Sequence, residues 1–220
     1  MELRKGTMRS SPFVGVFAKA TNRFVLLPMQ LQKKELHGLN DFFGVEIIHA
    51  NIANSSLIGA LTIANKHGIL LPGIAEEREL KQLEQLGLRA KKVGETNALG
   101  NLVALNDTKA VCGKTLAKET QKEIKNFLKV EVKQMAIASS DLAGAAIVTT
   151  NKGFVATTKA TKKELEALEA WFGLKGKTTT ANYGDAFIAN SIIANDRAAL
   201  VGLHSTQHEL LRIDEGLSGE

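Results

Sequence analysis

Apolar and polar positions along this chain fall into blocks that recur at a period of about 43 residues. Each block holds a short apolar run, a polar turn and a second apolar run, as in FVGVFAKATNRFVLLP, LIGALTIANKHGILLP and FIANSIIANDRAALVG. Five asparagines mark the turns: Asn22, Asn65, Asn106, Asn151 and Asn195, separated by 43, 41, 45 and 44 residues. An apolar residue follows each turn after 14 to 18 positions (Leu36, Leu80, Ile124, Leu165 and Leu210). Such a period marks one supersecondary unit copied along the chain, and one copy cannot bury its apolar faces alone. The copies fill the whole sequence, which predicts a closed ring. The expected organisation is one domain over 1–220, with units at approximately 13–50, 51–95, 96–138, 139–181 and 182–217.

The second unit shows the elements best. Leu57 to Ala64 is apolar and rich in Ile, Leu and Thr, which suits a buried strand. Asn65-Lys66-His67-Gly68 supplies a turn through residues that tolerate positive φ. Ile69-Leu70-Leu71 returns as the partner strand, and Pro72-Gly73 ends it. Glu76 to Leu86 places Leu80 and Leu83 on one face of a helix, with glutamates in its first turns where the dipole favours negative charge. Arg89 to Glu95 is a more polar exit strand. The predicted unit is strand, turn, strand, helix, strand in an α/β fold. In unit four, Trp171 is expected between helix and sheet.

Unit five stops before an exit strand, and the first residues of the chain (1–6) are the segment able to close it. Gly15, Gly59, Gly100 and Gly144 stand six or seven residues before the turn asparagine of their units. Glycine inside a strand pattern marks a bulge or a close backbone approach. Four at one position predict first strands crowded round a central axis; unit five has no glycine there.

Charge alters this picture only slightly. The formal net charge is +5, compatible with work beside RNA but too small to prove it. The basic residues Lys33-Lys34, Lys91-Lys92 and Lys162-Lys163 fall among glutamates in helix-like stretches, as on a solvated outer face. With Cys112 as the single cysteine, no intrachain disulfide forms. The N-terminus has no apolar run of signal-peptide length, and no stretch approaches a membrane span, so a cytoplasmic protein is expected.

Enzymatic chemistry finds little support. Gly113-Lys114-Thr115 resembles the end of a phosphate-binding loop, but that loop needs a glycine where Thr108 stands. His204 and His208 could share a helix face, yet a zinc protease needs glutamate where Ser205 follows the first histidine. Ser205 or Thr206 reads instead as a helix cap. Cys112 sits in an apolar strand pattern, without the activating base a nucleophile requires. No catalytic residue, metal site or cofactor is expected. The loops that open units two to five are Asn51–Ser56, Asn97–Asn101, Ser139–Gly144 and Thr180–Asp185. The repeat gathers them at one end of the ring as a flat polar face, better suited to a macromolecule than to a small ligand.

Three strings, NIANSSLIGALTIANKHGILLP, NALGNLVALND and HSTQHELLRI, resemble in order and spacing the translation initiation factor 6 family in its archaeal form. The likeness runs from about Phe13 to about Leu217. It implies the pentein fold, a five-bladed α/β propeller with pseudo-fivefold symmetry. It also implies a monomeric anti-association factor bound to the large ribosomal subunit, near ribosomal protein uL14 and the sarcin–ricin loop of 23S rRNA, with no DNA and no membrane partner. The family's ALGN string falls on Ala98, Leu99, Gly100 and Asn101, which makes Asn101 the first contact candidate. Gly100, Asn54, Ser55, Ser56, Asn97, Ser140, Asn182 and Tyr183 are the others. Ala60 stands where eukaryotic members carry an arginine. The competing reading is a guanidine-modifying pentein enzyme, whose nucleophilic cysteine lies in the last unit; here that unit has none.

Overall fold

Residues 1–94 and 98–220 are described by a computed structural model. They form five three-stranded sheets, each with its middle strand between an antiparallel inner strand and a parallel outer strand. Blade one comprises Lys19–Ala20, Phe24–Leu27 and Glu46–His49; blade two comprises Ile63–Asn65, Gly68–Pro72 and Ala90–Val93. Blade three comprises Val103–Leu105, Lys109–Cys112 and Glu131–Gln134; blade four comprises Ile147–Thr149, Gly153–Thr157 and Lys175–Thr179. Blade five has Ile192–Ala194 and Ala198–Gly202, and its outer strand is the N-terminal Glu2–Gly6, parallel to Ala198–Gly202. The inner strands touch one another in a complete cycle, so the ring is closed.

Middle strands read as near-continuous apolar runs because both faces are covered. In blade one, Phe24 and Leu26 pack forward into the core of blade two, while Val25 and Leu27 pack back against Ile193, Ala198 and Leu200 of blade five. Each core therefore belongs to two neighbouring blades. The outer helices are Glu77–Gln85, Lys118–Leu128, Lys162–Phe172 and Gln207–Ser218. Blade one differs: its helix breaks into Lys33–Leu36 and Leu39–Phe43 at Gly38, whose φ is +69°.

Two expectations need correction. Leu57 to Ala64 is not strand throughout: Ile58–Leu61 is one helical turn, and the strand begins at Ile63. Equivalent turns occur at Val14–Phe17, Leu99–Leu102, Ala143–Ala146 and, as a 3-10 turn, Ile188–Ser191. The turn asparagines also do not share one position. Thr21, Asn65, Asn106, Thr150 and Asn195 open the turns, and Asn22 and Asn151 come one residue later. None of the five asparagines adopts positive φ. Their amides bridge blades instead: Asn65 Nδ2 donates to the Leu128 carbonyl at 2.9 Å, Asn106 Nδ2 to Thr150 at 3.1 Å, and Asn195 Nδ2 to Phe43 at 3.0 Å. Trp171 is half-buried, and its indole N–H donates 3.1 Å to Ala110 O of blade three, so it too joins blades.

The N-terminal strand supplies a test of closure. It pairs all five of its residues with Ala198–Gly202, a strand buried along its whole length. Deleting residues 1–6 should lower stability by roughly 5 kcal/mol, from about 1 kcal/mol for each ladder bond lost along the five paired residues. Chemical denaturation measures this, and an unchanged midpoint would mean the strand adds nothing to the fifth blade.

Candidate functional site

Chain direction sorts the loops onto two ends. Inner strands run from the helical turns to the asparagine turns, and middle strands run back. The opening loops, the helical turns, the ends of the middle strands and the N-termini of the outer helices therefore share one end. Four opening loops hold two successive left-handed residues: Arg9-Ser10, Ala53-Asn54, Ala138-Ser139 and Asn182-Tyr183. Bridges from Met8 to Ser11, Ile52 to Ser55, Ile137 to Ser140 and Ala181 to Asp185 close them.

Most predicted site residues reach this end, but several spend their polar groups on the loops themselves. Ser55 Oγ accepts the Leu57 N–H at 3.1 Å, and Ser140 Oγ accepts that of Leu142 at 3.2 Å. Asn182 Nδ2 donates to Pro12 O and Ser191 Oγ, and its Oδ1 accepts the His204 N–H. Asn54 is exposed and bonds to Glu76 and Arg78; Ser56 is half-buried. Gly100 is buried, with its Cα facing the Gly59 and Ala60 carbonyls of blade two. Asn97 lies outside the described residues. Asn101 is half-buried in its helical turn; among the described residues only its backbone N–H is engaged, to Ala98 O. Tyr183 is 81% exposed.

The face is not the polar one expected. Phe13, Leu57, Leu142 and Phe187 occupy the same position, just before the helical turn of their blades, and all four are exposed. Met29, Ile74 and Leu203, beyond the ends of middle strands, are exposed as well. Of the ten exposed large hydrophobic residues described, eight lie at this end, Tyr183 included; Leu86 and Leu211 are the other two. Apart from Tyr183, already a candidate from the sequence, periodicity could not single them out, since each belongs to or borders an apolar run.

The axis itself is nearly filled. A cavity of about 80 Å³ is lined by all five blades, well short of the roughly 300 Å³ of small-molecule sites. Lys19 lines it where other blades place Ile63, Ala104, Val148 and Ile193, and burial pushes its pKa down to about 8. At the asparagine-turn end, Asn22 and Asn151 each donate to both Asp107 and Asp196 at 2.7–3.0 Å. Burial opposes ionisation of Asp107, but hydrogen bonds from the Lys66 N–H, Asn151 and Asn22, with the Lys66 charge, hold it below the usual carboxylate range. Its contribution to stability is thus present above the unfolded-state pKa and is lost as pH falls through the folded value. Cys112 is fully buried; burial first, and then the Asp141 charge, push its thiol up to about 11. A thiol held that high is a poor nucleophile at neutral pH. Thr206 caps the last helix, accepting the Glu209 N–H. No group of three or more metal-ligating side chains, and no helix long and apolar enough to cross a membrane, occurs among the described residues.

Five sheets closed round a filled axis define an α/β propeller of the pentein type. Within that class, the eIF-6 family profile matches residues 3–216, and the chain belongs to this family of translation initiation factors. Translation initiation factor 6 of Methanocaldococcus jannaschii is 37% identical over 215 residues, covering 94% of this chain and 93% of its own. The Pyrococcus abyssi protein of that name is 33% identical and the Thermoplasma acidophilum protein 32%, covering 99% and 98% of this chain and 99% and 100% of their own. A crystal structure of dimethylarginine dimethylaminohydrolase in adduct with S-methyl-L-thiocitrulline is 12% identical and aligns over 94% of this chain and 73% of its own, with a TM-score of 0.46. That score is too low to carry an argument about activity.

Proposed function

We propose that this protein binds the large ribosomal subunit through its opening-loop end. The bound surface is the subunit-joining face near uL14 and the sarcin–ricin loop, and occupying it keeps the small subunit away. The concentration of exposed apolar side chains at that one end supports this reading, because exposed apolar and aromatic side chains set among polar loops fit a macromolecular partner. On this reading the protein acts as a cytoplasmic monomer and holds no cofactor. The enzymatic alternative would require Cys112 to act from a buried strand in blade three.

Sedimentation with separated subunits tests the proposal: the protein should travel with large subunits alone and should lower the yield of joined ribosomes. Travel with neither subunit would remove the reading. Asn101→Ala should weaken binding by roughly 1–3 kcal/mol, tenfold or more, by leaving a desolvated partner group unpaired. Its melting temperature should stay within about 2 °C of the parent, as expected for a substitution that breaks no side-chain bond among the described residues. Lower stability with unchanged affinity would make Asn101 a loop-forming residue only.

A further inference from the structure

A single carboxylate serves two elements in four of the blades. Glu35, Glu79, Glu164 and Glu209 each stand at the third position of an outer helix and accept the backbone N–H of its capping residue. Each also reaches across to the left-handed opening loop. Glu35 accepts from Ser10 N, Glu79 from Ala53 N and Asn54 N, and Glu164 from Ala138 N, at 2.8–3.0 Å. In blade three the third helical position is Thr120.

Glu209 is the most heavily used of these clamps. Its Oε1 accepts Gly184 N at 2.9 Å and Thr180 Oγ1 at 2.7 Å; its Oε2 accepts Thr206 N at 2.7 Å, Thr206 Oγ1 at 3.1 Å and Tyr183 N at 3.2 Å. The loop it holds carries Asn182 at φ 47°, Tyr183 at φ 63° and Gly184 at φ 106°. Two successive non-glycine residues in this region carry a steric cost and persist only where their surroundings over-determine them. The ring of Tyr183, the one tyrosine of the chain, stands clear of the protein at this end.

We infer that Glu209 is a positioning residue for docking: it fixes the Asn182–Gly184 loop, and with it the Tyr183 ring, in the shape that meets the partner. The inference rests on the large-subunit reading above. A rigid aromatic anchor binds more tightly when its backbone is set beforehand, because the loop need not be ordered on contact. Glutamine cannot replace this carboxylate. It retains one oxygen for the helix cap but turns N–H groups toward donors that need an acceptor.

A double-mutant cycle separates positioning from plain structural support. At a temperature well below melting, Glu209→Gln should weaken large-subunit binding about tenfold and speed amide exchange at Tyr183 and Gly184. Added to Tyr183→Ala, it should weaken binding less than twofold further, since the ring it positions has gone. Full multiplication of the two effects would overturn the inference, and so would faster exchange with unchanged affinity. If the parent protein bound neither subunit, the docking reading would fall first; a parent that binds while the cycle multiplies refutes only the role of Glu209.

Discussion

Gly59→Ala should lower the stability of this protein by roughly 4 kcal/mol or more. A methyl built on Gly59 would lie 1.8 Å from the Gly15 carbonyl oxygen and 2.6 Å from that of Ala18. Both are backbone atoms, which cannot swing aside as the tip of a side chain can. The contact is also one link of a chain: Gly100 abuts the Gly59 carbonyl, Gly144 that of Gly100, and Gly15 that of Ala189. Opening one link by the roughly 1 Å or more a methyl needs would spread inner strands whose cores are shared with both neighbours. Domains of this size are stable by only about 5–15 kcal/mol, so a loss of this size is a substantial share of the whole. Ala189→Gly is the control, because blade five already carries a methyl at the equivalent position; it should cost about 0.5–1 kcal/mol in backbone entropy. Urea unfolding followed by circular dichroism measures both. Equal midpoints for Gly59→Ala and the parent would mean that the blades can part freely at the axis.

The repeat was legible because every blade must solve the same burial problem with the same apolar pattern. Its register was legible only to within one residue. Thr21 and Thr150 open their turns in place of asparagine, and Thr150 bridges to blade five through its hydroxyl, 2.7 Å from Leu217 O. With Thr21 and Thr150 as reference, Gly15, Gly59, Gly100, Gly144 and Ala189 all lie six residues before the turn. The helical turns were not legible, since a four-residue apolar segment is too short for periodicity to separate helix from strand. Gly59 pointed to close approach correctly, although it sits in a helical turn and not in a strand. Loop chemistry misled in the other direction. Ser55, Ser140 and Asn182 suggested a polar face, yet the two serines satisfy the backbone of their own loops and Asn182 ties its loop to Pro12, Ser191 and His204.

Phe13→Ala with Phe187→Ala should lower large-subunit affinity about a hundredfold while leaving the fold intact. The rings belong to adjacent blades, since the helical turn of blade one packs against that of blade five, and both are about two-fifths exposed (41% and 43%). Each ring is still about three-fifths buried, so each single change should cost about 1–2 kcal/mol of stability, and affinity is compared well below the melting temperature. Binding is another matter. An aromatic ring near the centre of a desolvated patch is worth roughly 2 kcal/mol or more when truncated, and adjacent rings of one patch are lost together. The matching change at the rim, Met29→Ala, alters a flexible side chain beyond the end of blade one's middle strand and should weaken binding less than threefold. Sedimentation titrations of the three variants rank the positions. A rim change that hurts more than the paired phenylalanines would move the contact away from the axis and on to the outer loops.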